Sequence, residues 1–228
     1  MRERILLDDS ALDLELSRMT DAGTDRVAVR AAAERDQRPW VVVNHLSRLV
    51  VDPERFPDDR EVMRRVGMGA VYTRTSHGDA LRADDAEHEG LLLRRYFDPY
   101  ARAVSHLVQG RLGTCGRAII VDVHSYPRHV LPYELHPHAR RLTVCLGVDA
   151  LHTPPWLQVA ALGAFEPLGD VAVNEPFTGT YVPLRHYESD LRVSSVMIEM
   201  RRDDDGGLPA GVASAVARLV DAIGRYRG

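Results

Sequence analysis

Residues 118–125 read AIIVDVHS, and this apolar run ending in two polar residues is the strongest strand signal in the chain. A continuous apolar run of this length is typical of a buried strand. His124 follows the run directly, and Asp122 lies two residues earlier, so side-chain alternation puts both on the same side of the strand. An imidazole at a strand end is well placed to bind a metal ion, and Asp122 could orient it. The alternative is a histidine that only hydrogen-bonds to backbone.

Other apolar stretches predict further strands, and helical periodicity separates them. We expect strands at residues 40–44, 142–148, 171–174 and 194–200, and helices at 10–35 with a break at Gly23, 91–108, 156–162 and 209–226. Residues 53–90, rich in Asp, Arg, Gly and His, predict a long functional loop region. Strands that alternate with helices indicate an α/β fold with a central, mostly parallel or mixed sheet and helices on both faces.

Composition excludes several classes of protein. The chain has 228 residues, 45% of them hydrophobic and 27% charged, a formal net charge of −4 and a pI near 6.2. No basic surface for nucleic acid is expected, and no apolar run approaches the roughly 20 residues that span a membrane. Two cysteines are too few for a disulfide framework. The charged N-terminus does not resemble a signal peptide. We therefore expect a single-domain cytoplasmic enzyme with reduced thiols.

Glu199 is a second candidate functional residue, in the stretch Val196–Asp203. A carboxylate between Ile198 and Met200 in a buried strand is costly unless it is paired or used in catalysis. Such a group suits general acid/base catalysis on a metal-bound water. The alternative is a glutamate on an edge strand that faces solvent.

Two arginines, Arg48 and Arg55, flank an apolar run that ends in a turn. Their guanidinium groups could bind carboxylates of a ligand with two parallel hydrogen bonds each. Asp52, Asp58 and Asp59 could instead hold them in ordinary salt bridges. For a loop of this kind the salt bridges are the more common outcome.

Asp21 and Asp25 form an acidic pair near the predicted helix break. Four residues apart on a helix, they would share one face, where like charges repel unless a cation or an arginine lies between them. The alternative is a solvated helix N-terminus, where the helix dipole favours acids.

Six segments in one order resemble the N-formylglutamate amidohydrolase family, which belongs to the zinc carboxypeptidase and aspartoacylase fold group. The likeness extends from residue 19 to about residue 202. The segments are Thr20-Asp21 to Asp25, Ser47 to Arg55, Pro99-Tyr100, Asp122 to Ser125, Gly179-Thr180-Tyr181 and Ile198-Glu199.

The resemblance implies a fold, an activity and a set of site residues. It implies a three-layer, zinc carboxypeptidase-like catalytic domain over residues 1–228 that lacks the family's usual first strand. The implied reaction is metal-dependent hydrolysis of a small acidic amide such as N-formylglutamate, with zinc as the expected metal. The implied roles are Glu199 as acid/base, His124, Asp21 and Asp25 as metal ligands, and Arg48, Arg55 and Tyr181 as substrate-binding residues.

Two other functions stay open at this point. One is a deacylase or carboxypeptidase of the same fold group, and the other is a non-catalytic protein that binds a carboxylate ligand. The sequence also leaves open whether the chain forms a homo-oligomer.

Overall fold

The computed structural model describes residues 4–33, 35 and 38–226, and within these residues a series of helices precedes the first strand. A π-helical segment, Leu93–Phe97, joins the helix that ends at Leu92 to the helix that begins at Asp98, and 3-10 segments cover Val62–Val66 and Glu166–Leu168. None of the described helices combines the length and hydropathy that crossing a bilayer requires. The elements are α1 (Asp9–Met19), α2 (Thr24–Ala33), α3 (Ala86–Leu92), α4 (Asp98–Cys115), β1 (Ala118–Tyr126), β2 (Val144–Gly147), α5 (Pro155–Phe165), β3 (Val171–Val173), β4 (Val193–Arg201) and α6 (Val212–Arg225).

The four described strands form one mixed sheet in the order β1-β4-β2-β3. Strand β4 pairs with β1 in parallel and with β2 antiparallel, and β2 pairs with β3 in parallel. The predicted α/β class and mixed sheet are confirmed, as are the strands expected near residues 118, 142, 171 and 194. The three-layer arrangement and the likeness to zinc carboxypeptidases stay expectations from the sequence.

The chain divides into two compact units. Unit 1 contains residues 1–20, 44–104 and 129–137, and unit 2 contains residues 21–43, 105–128 and 138–228. Helix α4 contributes to both units, and the whole sheet belongs to unit 2. The single-domain organisation expected from the sequence stays a prediction.

The hydrophobic core of unit 2 lies on one face of the sheet. Val196, Ile198 and Met200 of β4 alternate with residues of the other face, and all three are fully buried. They pack with apolar side chains of α2, α5 and α6. Because paired residues of neighbouring strands project to the same side, Val121 and Val123 of β1 join this face. The opposite face therefore carries the polar side chains Asp122 and His124 of β1 and Ser195 and Glu199 of β4, beside Ile120 and Met197.

Unit 1 is held by two apolar clusters built largely from irregular backbone. Met68, Tyr72 and Leu81 are completely buried in one cluster, and Phe97 belongs to the other. The irregular region expected over residues 53–90 is confirmed up to the start of α3. Its buried residues give it a packed core of its own.

The strand predicted at residues 40–44 is wrong. This segment has no regular structure, and Trp40, Val41 and Val42 are 56%, 39% and 50% exposed. The Trp40 ring instead packs against the guanidinium of Arg111, with 5.2 Å from the guanidinium carbon to the ring centroid. An apolar, β-branched run favours strand structure only where a neighbouring strand supplies ladder hydrogen bonds, and β1 has β4 as its one partner among the described strands.

The helix predicted over residues 10–35 is confirmed as two helices separated near Gly23. Asp8 begins α1 by accepting a hydrogen bond from the Ala11 backbone N–H at 2.8 Å. Gly23 has a φ of +82°, which a side chain would disfavour, so the chain turns there before α2 begins at Thr24.

The central position of Ile198 gives a stability prediction. Because Ile198 is fully buried, we expect Ile198→Ala to lower the free energy of unfolding by about 2–5 kcal/mol in a urea titration. The control is Leu191→Ala, since Leu191 is 69% exposed and its truncation should change stability by no more than about 0.5 kcal/mol. Equal effects of the two substitutions would contradict the described core.

Candidate active site

The parallel pairing of β1 and β4 brings His124 and Glu199 together. The two residues are direct partners in the strand register. Their side chains therefore project to the same side of the sheet, opposite the hydrophobic core of unit 2. His124 is the seventh residue of β1, and the strand continues to Tyr126, three residues beyond the end of its apolar run at Val123.

Two carboxylates flank the His124 imidazole. Nδ1 lies 3.5 Å from an Asp21 oxygen, and Nε2 lies 3.0 Å from an Asp122 oxygen. The alternation along β1 places Asp122 as the sequence predicts. Asp21 comes from the segment between α1 and α2 and is fastened to β1, because its second oxygen accepts a hydrogen bond from the Ser125 backbone N–H at 3.0 Å. All three side chains are largely shielded from solvent, with 13% to 24% exposure.

Asp25 does not join this group. It lies in the first turn of α2 and is exposed, and within the described part of the chain it makes no ion pair or hydrogen bond. The alternative interpretation of the acidic pair, a solvated helix N-terminus, fits Asp25. The expected role of Asp25 as a metal ligand therefore has no geometric support.

Glu199 is nearly buried between two strands. It pairs in register with His124 on β1 and with Cys145 on β2. The Cys145 thiol donates to the Phe177 carbonyl at 3.4 Å. Burial raises the pKa of Cys145 to about 11, and the negative charge of Glu199 adds to the shift, so the thiol stays protonated. Sequence reasoning did not identify Cys145 because its place beside Glu199 is set by strand register.

Arg48 and Arg55 surround a buried aspartate in unit 1. Asp52 is 5% exposed, and its Oδ2 lies 3.9 Å from Arg48 Nη1 and 3.6 Å from Arg55 Nε. The Tyr72 hydroxyl donates to the same oxygen at 2.7 Å, and Glu61 lies 3.5 Å from Arg55. Burial alone would raise the pKa of Asp52, but Arg48, Arg55 and the Tyr72 hydroxyl hold it below its usual value.

The alternative predicted from the sequence is that aspartates of this segment hold Arg48 and Arg55 in salt bridges. It is confirmed for Asp52 and wrong for Asp58. Asp58 pairs with Arg60 instead. Tyr72 and Glu61 were not identified from the sequence. No short-range pattern connects Tyr72 to Asp52, because the two residues are brought together by the packing of an irregular segment.

Tyr181 is placed by backbone contacts to β4. The Ser195 hydroxyl donates to the Tyr181 carbonyl at 2.8 Å and lies 2.7 Å from the Thr180 hydroxyl. The same segment also approaches β2 closely, since a Cβ at Gly147 would lie 2.1 Å from the Gly179 carbonyl oxygen. Residue 147 must therefore be glycine for the chain to take this path.

These features define an α/β protein with an imidazole, two aspartates and a glutamate gathered on the polar face of its sheet. The chain belongs to the N-formylglutamate amidohydrolase family, whose model matches residues 2–204. The family is one of hydrolases that act on an amide. The resemblance found in the sequence is therefore confirmed.

Two solved structures share the fold. An N-formylglutamate amidohydrolase from Ralstonia eutropha JMP134 aligns with a TM-score of 0.69 and 19% identity, covering 96% of this chain and 85% of its own. A gene product of Agrobacterium tumefaciens aligns with a TM-score of 0.64 and 20% identity, covering 96% of this chain and 82% of its own. No curated protein matches this chain in sequence.

The two cysteines give a prediction for the environment of Glu199. Cys115 is exposed, whereas Cys145 is buried with a raised pKa. At about pH 8 we expect one thiol of the native protein to react with a disulfide reagent, and both to react after denaturation. Cys115→Ser should abolish the reaction of the native protein with the disulfide reagent. Rapid reaction of both thiols in the folded protein would contradict the described packing of β2 against β4.

Proposed function

We propose that this protein is a metal-dependent amidohydrolase that cleaves the N-formyl amide of an acidic amino acid such as N-formylglutamate, giving formate and glutamate. Family membership supports the reaction class. The observation that carries the proposal is the register of β1 and β4, which places Glu199 directly beside His124. Cleavage of an amide needs an activated water and a proton for the leaving nitrogen, and an acid next to a metal-binding imidazole suits both tasks.

The proposed metal ligands are His124, through Nδ1, and Asp21. Two ligands held tetrahedrally about 2.0–2.2 Å from a zinc ion lie about 3.3–3.6 Å apart, and the 3.5 Å between these two atoms fits that spacing. The Asp122 carboxylate lies 3.0 Å from Nε2, although Nε2 makes no hydrogen bond among the described residues, and this proximity suits Asp122 as the group that orients the ring. Asp122 and His124 also offer ligand atoms close enough for Asp122 to be an alternative ligand.

Zinc is the metal most consistent with an imidazole and carboxylate set, and when bound it would polarise the scissile carbonyl and lower the pKa of water. The Asp21 and Asp122 carboxylates flank the two nitrogens of the His124 ring. The Ser125 N–H in turn fixes the Asp21 carboxylate. The chain thus preorganises the donor atoms before a ligand arrives.

Glu199 is the proposed general base and acid. Its carboxylate takes a proton from the attacking water as the new C–O bond forms, and then delivers that proton to the leaving nitrogen as the C–N bond breaks. Its neighbours along β4, Ile198 and Met200, are fully buried on the opposite face and fix the strand. This support keeps the carboxylate beside His124.

Arg48, Arg55 and Tyr181 are the proposed substrate-binding residues. A guanidinium can bind a carboxylate with two parallel hydrogen bonds, so the arginines suit the acidic part of the substrate. Asp52 restrains both guanidinium groups, which lowers the entropy lost when a ligand binds. The Ser195 hydroxyl restrains the backbone of Tyr181.

Replacing the proposed base should remove turnover. We expect Glu199→Gln to lower kcat for N-formylglutamate by at least about 100-fold while leaving metal content unchanged, because the amide cannot accept the proton. Formate release measures the rate, and Glu166→Gln is the control because Glu166 is exposed. Near-normal turnover in Glu199→Gln would remove this residue from the mechanism.

The metal content of three variants should show which of the two aspartates, Asp21 or Asp122, binds the metal. After dialysis with zinc, we expect His124→Ala and Asp21→Asn to lose the metal. Asp122→Asn should weaken metal affinity by about 10–100-fold, as an orienting partner does. Competition with a chelator measures these affinities. An unchanged metal content in His124→Ala would show that His124 has a structural role. A larger loss of metal in Asp122→Asn than in Asp21→Asn would make Asp122 the metal ligand and Asp21 the group that orients the ring.

A further inference from the structure

Arg82 is a buried cation without an acidic partner. It lies in unit 1 and is 3% exposed. Its Nη2 donates to the Leu49 carbonyl, and its Nε is buried with no hydrogen-bond partner. Within the described chain, Arg82 makes no ion pair, and burial is the one influence that shifts its pKa, downward.

Three other arginines of unit 1 do have acidic partners. Arg4, Arg60 and Arg64 each pair with an acid at 2.7–3.0 Å. A guanidinium stays protonated in proteins, so burial of an uncompensated one opposes folding. A hydrogen bond to one carbonyl offsets only part of that cost. The position of Arg82 is therefore unfavourable for stability, and a role in function would account for it.

The charge of Arg82 matters because the neighbouring arginines are neutralised. Arg48 and Arg55 lie among Asp52 and Glu61, so these four groups together carry no net charge. Arg82 holds the carbonyl of Leu49, the residue directly after Arg48. It thus restrains the backbone beside Arg48 and adds one positive charge to that segment.

We propose that Arg82 is a positioning residue for carboxylate binding, which holds the segment carrying Arg48 and supplies the net positive charge that attracts an anionic substrate. This inference rests on the proposed function and names the substrate class, small molecules with a free carboxylate. Arg82 acts through Leu49 and through its field, and no direct contact with the substrate is required.

Two substitutions separate charge from anchoring. Arg82→Gln keeps a hydrogen-bond donor but removes the charge, and Arg82→Lys keeps the charge. The control is Arg64→Gln, because Arg64 is 46% exposed and already paired with Glu89. Each protein is titrated with L-glutamate by calorimetry, and its thermal midpoint is measured without ligand.

We expect Arg82→Gln to raise the dissociation constant for L-glutamate by at least about tenfold, with a midpoint no lower than that of Arg64→Gln. Arg82→Lys should retain most of the affinity. Removal of an uncompensated buried charge should not lower the thermal midpoint. A lower midpoint in Arg82→Gln would mean that the substitution removes a structural contact.

Three outcomes would overturn the inference. They are wild-type affinity in Arg82→Gln, equal losses of affinity in Arg82→Gln and Arg82→Lys, and a midpoint of Arg82→Gln clearly below the control. A wild-type protein that does not bind L-glutamate would also overturn it. A wild-type protein that binds L-glutamate but releases no formate from N-formylglutamate would instead defeat the proposed function and leave the role of Arg82 intact.

Discussion

The parallel pairing of β1 with β4 is the interaction on which the rest of the candidate site depends. Backbone hydrogen bonds fix the register, and the register places His124 opposite Glu199. A slip of one residue would turn one of these side chains into the hydrophobic core. The buried residues on the other face, such as Val196 and Ile198, prevent that slip because they must remain packed against α5 and α6.

In both units, carboxylates lie against the ionisable side chains of the candidate site. In unit 2, the Asp21 and Asp122 carboxylates flank the two ring nitrogens of His124. In unit 1, Asp52 holds Arg48 and Arg55. In each case a shielded carboxylate lies against a side chain that we propose binds a ligand, so part of the entropic cost of that binding would be met during folding.

The sequence predicted the elements better than the contacts between them. The apolar runs of β1 and β4 and the periodicity of α5 and α6 identified these elements because burial imposes those patterns directly. The same reasoning failed for residues 40–44, since an apolar run does not reveal whether a neighbouring strand is available to pair with it. Asp25 was grouped with Asp21 by spacing, although the chain turns at Gly23 and separates their environments.

The sequence by itself determined the α/β class and the family, and it predicted His124, Glu199 and Asp21 as functional residues, because residue type and local order carry that information. Only the tertiary structure decided which of these residues meet. The register of β4 against β1 and β2 set Glu199 between His124 and Cys145, and packing of irregular backbone brought Tyr72 to Asp52. Such contacts join residues far apart in the chain, so no local pattern encodes them.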